Sequence, residues 1–281
     1  MNILQKLINK TYFRVYDIFW HKKVKLLPPS LQSSKNLFLY FDYEREFGNE
    51  MARVTDNDIN KILELLDKYQ FKTTFFTVGK IFEAYPESIK IIIDKGHEVG
   101  SHTFDHIKQT NVSKNNVSKD FNDFKKISTA VLEVRGFHSP NGEWNHQTVK
   151  NLSKFNYGYD VISKKKRKDV NYIRVRYTKN KLFRFLTFGD DYPLYKKNGD
   201  SETVKQHFIK LYRRLNNGQL GGIGFHPWVL FSNENIWHGF KEFIEFLSTE
   251  KNLNIDTAIK FVSEIKESFT ENHKENSTLK Q

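Results

Sequence analysis

Apolar residues occur along this chain in short dense runs, separated by stretches where they recur every three or four positions. LFLYFDYE, KTTFFTVG and HEVGSHT, then VRGFHSP, YGYDVIS, LFRFLTFG and QLGGIGFHP, have the aromatic and β-branched density of buried strands. After the first of them, TDNDINKILELLDKYQ offers Thr55 as an N-cap, acidic residues in the first turn, and Ile59, Ile62, Leu63, Leu66 and Tyr69 on one face. YPESIKIIIDKG predicts a helix closed by Gly96, and helical periodicity returns at about 114–134, 145–155, 201–216 and 236–248. Strands alternating with helices predict parallel βαβ units, in an open sheet or a barrel. In an α/β barrel the chemistry sits at the C-terminal strand ends. Asp42, Glu44, His102, His106, His138, Asp191 and His226 all fall near such ends.

The two ends of the chain depart from this alternation. Ile3, Leu4, Leu7, Ile8, Tyr12, Val15, Ile18 and Phe19 recur at helical spacing among lysines, which fits an interfacial amphipathic helix or one packed on the domain. No uninterrupted apolar core or cleavage site marks a secretory signal there, and the stretch is not a membrane span, so a cytoplasmic protein, peripheral to the inner membrane face, is expected. Beyond about 263 apolar periodicity fades and a disordered tail is expected. The division predicted is an N-terminal helix and linker over 1–35, one domain over 36–262 and the tail over 263–281.

Charge changes the picture little. The 281 residues carry a net +12, with lysine spread throughout, so a solvated surface competes with an acidic partner. The alternation of Tyr172, Arg174 and Arg176 with Ile173, Val175 and Tyr177 predicts a hairpin or edge strand behind the basic run Lys164–Lys168. That run could meet a phosphate or an anionic membrane surface. Nucleic acid is disfavoured, because the aromatics lie in strands and are not interleaved with the basic run. There is no cysteine, so any metal ligand must be His, Asp or Glu.

His102 and His106 stand four apart, which puts two imidazoles on one side of a helical turn or of a strand. Alone, that spacing fits surface histidines as well as a metal clamp, and Thr103 stands where the metalloprotease pattern needs Glu. Asp42 and Glu44, two apart on a strand, would share a face, unless the strand ends at Phe41 and both are solvated. Two histidines with one carboxylate leave open positions, as in catalytic zinc and non-haem iron sites, and free the second carboxylate to act as a base.

In order and spacing, FDYE, TTFFTVG, GHEVGSHTFDH, GFHSPNGEWN, YGYDVIS, GDDYP and GFHPW resemble the NodB-homology polysaccharide deacetylases, carbohydrate esterase family four, over about residues 36–250. GHEVGSHTFDH is the most specific stretch, close to that family's H-[S/T]-x-x-H motif. The resemblance implies a distorted (β/α) barrel of about seven strands and metal-dependent removal of an N-acyl group from an amino sugar of a polysaccharide or lipid-linked glycan. It implies a divalent ion, zinc foremost with iron, cobalt or nickel compatible, held by Glu44, His102 and His106. Asp42 would be the base, His226 the general acid and Asp191 its partner, with Asp190 as competitor. His138, Pro140 and Trp228 would contact substrate. Where the family carries Arg in F-R-x-P, this chain has His138, and Arg135 is three positions short of it; a weakened barrel that only binds carbohydrate or lipid is the alternative. His97 is expected in the strand that delivers the ligands, and Asp105 as local support for them.

Overall fold

The computed structural model describes residues 21–48, 53–163, 169–176, 178, 181–197 and 199–278. Seven parallel strands close into a barrel: β2 (Lys35–Tyr43), β3 (Thr74–Thr77), β4 (Glu98–Ser101), β5 (Gly136–His138), β6 (Tyr159–Ser163), β8 (Phe183–Thr187) and β9 (Leu220–Phe225), which pairs back on β2. Between them run α1 (Asp56–Lys68), α2 (Pro86–Asp94), α3 (Lys114–Thr129), α4 (His146–Lys154), α5 (Ser201–Tyr212) and α6 (Glu234–Thr249). The barrel option of the sequence reading is therefore the one realised.

Period-two alternation on β2 separates two cores. Leu37, Leu39, Phe41 and Tyr43 pack outward among the helices, while Phe38 and Tyr40 join Phe76, Tyr159, Phe183 and Phe185 in the barrel interior. These rings fit because the neighbouring strand presents glycine at their register positions. A Cβ at Gly222 would stand 2.3 Å from the Phe38 ring, and one at Gly136 2.3 Å from the Tyr159 hydroxyl. Thr55 caps α1 as expected, in a reciprocal capping box with Asp58.

Among the described residues, three strands lie outside the closed ring. β10 (Leu253–Ile255) pairs with the first residues of β2, on the edge that β3 takes further along. β7 (Tyr172–Val175) runs antiparallel to β8, and β1 (His21–Val24) runs antiparallel to β7. Of the expected hairpin or edge strand, the hairpin is realised: Tyr172–Val175 pairs antiparallel with β8, while the edge is β1, which the sequence reading had absorbed into a helix and linker. Four residues, HKKV, with two lysines exposed, carry no strand signature without their partner. The connection from β6 to β8 contains β7 and no α-helix among the described residues.

The boundary expected at 262 falls inside α7 (Ala258–Thr278), whose Ala258, Phe261, Val262 and Ile265 pack with Leu27, Leu31 and Leu220. Their spacing is helical, and burying that face against the barrel orders a segment whose composition looks solvated. The amphipathic pattern over residues 3–19 and the run Lys164–Lys168 lie outside the described residues. No helix among the described residues is long and apolar enough to cross a membrane.

Candidate active site

The C-terminal strand ends bring the predicted residues together. Asp42 lies on the inward face of β2, and Glu44 follows just beyond its end. His102 directly follows β4, His138 ends β5, and His226 directly follows β9. Asp42, Glu44, His102, His138 and Asp191 are buried; His106 and His226 are partly exposed. The strand does not end at Phe41, so the two carboxylates are not in a solvated loop.

Glu44 Oε1 lies 3.2 Å from His102 Nε2 and 3.0 Å from His106 Nε2. Neither a helical turn nor a strand joins the two histidines. Thr103 (φ 69°) and His106 (φ 50°) are left-handed, folding the loop back on itself. Gly79 donates its backbone N–H to the Thr103 carbonyl (2.9 Å), and Lys80 donates to that of Phe104 (3.2 Å). From α3, the Asp120 carboxylate accepts the N–H groups of Phe104 (3.0 Å) and Asp105 (3.1 Å). Asp120 was missed in the sequence; its signal was a carboxylate on the buried face formed by Val117, Phe121 and Phe124. Asp105 pairs with Lys80, a local support.

The His102 Nδ1–H donates to the carbonyl of His138 (2.8 Å), which turns the Nε2 lone pair towards Glu44. Burial holds His102 below the ordinary imidazole range, against the pull of Asp42 and Glu44. A neutral imidazole and a carboxylate oxygen therefore aim electron pairs at the same point, an arrangement that favours a cation between them. Burial opposes the charge of Glu44, but the close approach of His102 and His106 holds its pKa well below the usual carboxylate range. Two imidazoles and one carboxylate suit a divalent ion, and Glu44, His102 and His106 have ligand atoms close enough together to share one.

Beside this set, Asp42 accepts from His138 Nδ1 at 2.8 Å, and His226 Nε2 lies 3.6 Å away on its other oxygen. Burial raises the pKa of Asp42, but the neighbouring imidazoles His102, His138 and His226 leave it lowered. The His138 ring packs edge-on to Tyr40, with centroids 5.0 Å apart. Arg135 is turned away, donating to the Asn156 carbonyl and to Glu133.

On the far side, His226 Nδ1–H donates to Asp191 Oδ1 (2.6 Å), and its backbone N–H donates to Oδ2 (2.8 Å). Burial disfavours the charged ring, yet the Asp191 carboxylate raises the His226 pKa well above the ordinary value. Burial likewise pushes Asp191 up, to about 6, against the pull of His226. Asp190, the competitor, instead accepts from the Tyr192 N–H, and its backbone carbonyl meets His207 Nε2. Trp228 and Pro140 are both buried, and the Trp228 indole N–H is taken by Glu44 Oε2 at 2.9 Å. His97 lies at the opposite end of β4, its Nδ1 accepting from the Thr73 N–H.

The polysaccharide deacetylase family profile matches residues 32–160, which hold Asp42, Glu44, His102, His106 and His138. This match supports a NodB-type polysaccharide deacetylase over that part of the chain. A peptidoglycan-N-acetylglucosamine deacetylase of Bacillus cereus is 32% identical over 98 residues, covering 34% of this chain and 46% of that protein. The aligned part spans less than half the length of the curated relatives it matches most strongly. Among solved structures, a Mycobacterium smegmatis polysaccharide deacetylase superposes with a TM-score of 0.72 at 18% identity, over 87% of this chain and 95% of that one. A CE4-family pseudoenzyme from Bacillus anthracis gives 0.58 at 18% identity, over 83% and 67%. At these identities the superpositions establish the deacetylase-type barrel and nothing finer.

Proposed function

We propose that this chain removes an N-acyl group, acetyl in the first instance, from an amino sugar of a glycan. The observation that carries this reading is the placement of Asp42 between two distinct groups. On one side are Glu44, His102 and His106, converging on one point; on the other is the Asp191–His226 pair, which holds a proton.

Glu44, His102 and His106 would hold a divalent ion, zinc foremost for this donor set, which when bound supplies electrophilic polarisation of the acyl carbonyl. Asp42, kept ionised by its imidazole neighbours, takes the proton of the attacking water. His138 holds that carboxylate from behind through Nδ1–H, the support a fixed guanidinium would otherwise give. As the C–N bond breaks, the protonated Nε2 of His226 delivers its proton to the departing nitrogen, and Asp191 stabilises the imidazolium and fixes its orientation. The exposed rings of Tyr192, beside His226, and Tyr195, beside Trp228, offer apolar faces to a sugar.

The test is acetate release from N-acetylglucosamine oligomers and from peptidoglycan by the zinc-loaded full chain. Activity should vanish with a chelator and fall at least about 100-fold in His102→Ala. Turnover indifferent to both would overturn the reading. Because His138 replaces the family arginine, a binding-only barrel is the second reading; glycan binding without acetate release in the presence of zinc would select it.

A further inference from the structure

We propose that Trp228 is a positioning residue for Glu44, holding one carboxylate oxygen so that the other faces both imidazoles. The inference rests on the reading of Glu44, His102 and His106 as a divalent-metal site, and it departs from the sequence expectation that Trp228 touches substrate.

Glu44 is a long side chain placed just beyond the end of β2, and nothing in its own backbone selects which oxygen points where. Two contacts make that choice. Trp228 Nε1–H donates to Oε2 at 2.9 Å, leaving Oε1 to His102 and His106. An indole N–H only donates, so it competes with neither imidazole for a cation and cannot exchange roles with the carboxylate. From the other side the backbone at Gly48 closes in, since a Cβ there would stand 2.5 Å from Glu44 Oε2.

The Trp228 ring is itself fixed. It is 8% exposed, sits on the short turn Pro227–Leu230 immediately after His226, and meets Tyr195 edge-on with centroids 4.9 Å apart. Tyr192 and His226 pack at 6.3 and 5.8 Å. With its N–H engaged and its ring covered, Trp228 has little surface left for a sugar, whereas Tyr192 and Tyr195 are 48% and 43% exposed. Donors behind metal ligands fix ligand orientation, and their removal typically weakens metal affinity by about 10–100-fold.

The experiment titrates zinc against a chelating indicator with the full-length wild-type chain and Trp228→Phe, which keeps an aromatic ring and loses the N–H. The expected result is a zinc affinity lower by about 10–100-fold in the variant, with the metal-free unfolding temperature little changed. Equal affinity in the two proteins overturns the proposal. Failure of the wild type to bind zinc is a different outcome, which overturns the metal-site reading and this inference with it. Should Trp228→Phe not fold, the indole N–H resonances of the wild type carry the test. Zinc must move one of them, and Glu44→Gln must move the same one; an unmoved set overturns the proposal.

Discussion

Asp191 decides which protonation state His226 holds. Burial alone would favour a neutral ring, and the bonded carboxylate reverses that. In Asp191→Asn the carboxylate charge is gone and the burial remains, so the His226 pKa falls. A general acid works only while protonated, so activity is lost at lower pH as pH rises. The alkaline limb of the pH profile for acetate release should shift downward, and the rate near neutrality should drop by roughly 10²–10⁴-fold; an unmoved limb would sink the assignment. That Asp42, Glu44, His102, His106, Asp191 and His226 would meet at one end of the barrel was legible because their types and order are distinctive. The Trp228–Glu44 contact was not, because it joins residues 184 apart in the chain, and no local pattern encodes a partner at that range. The absence of an arginine at 138 was legible, but not the direct bond from His138 to Asp42.

Among the elements, the wall formed by β6 and β8 solves a packing problem differently from the rest. Where other strands are covered by a helix, Arg184 on β8 faces Asp160 on β6, its register partner. Arg184 Nε and Nη2 donate to the carboxylate at 2.7–3.1 Å, and the guanidinium lies 3.7 Å from the centroid of the Trp144 ring. Removing one partner of a fully buried pair leaves a bare charge. Asp160→Ala should cost about 3–5 kcal/mol in denaturant unfolding, and replacing both residues with apolar side chains should restore most of the loss. A loss below about 1 kcal/mol would mean that water reaches the guanidinium. The long strands were readable because burial on both faces makes them continuously apolar. β1 and the fold of the 102–106 loop were not, because pairing with β7 and the bonds from Asp120 and from Gly79 and Lys80 define them.

At the scale of the molecule, the barrel has a chemical end and a structural end, and Glu98 sits at the second. Its carboxylate accepts from Tyr159 (2.7 Å), Thr74 (2.8 Å) and the Ile259 N–H at the start of α7 (3.0 Å). Burial nevertheless pushes its pKa up to about 7. A carboxyl whose folded pKa exceeds its unfolded value holds its proton longer in the native state. Its contribution to stability therefore declines as pH rises from the ordinary carboxylate range through 7. Glu98→Gln should flatten the fall in unfolding temperature between about pH 5 and 8; a slope equal to wild type would refute this. The parallel barrel could be anticipated from alternation, but not which strands close it. Closure comes from β9 settling beside β2, and it also has a temporal meaning. A chain emerging from the ribosome presents Asp42, Glu44, His102 and His106 long before Asp191, His226 and Trp228 exist. Asp42, Glu44, His102 and His106 are thus made first but lack the indole donor and the Asp191–His226 pair until the last barrel strand inserts, a long-range contact of the kind that forms slowly. Until that strand is in place, an incomplete chain carries Glu44, His102 and His106 without the indole that bonds Glu44 and without the Asp191–His226 pair.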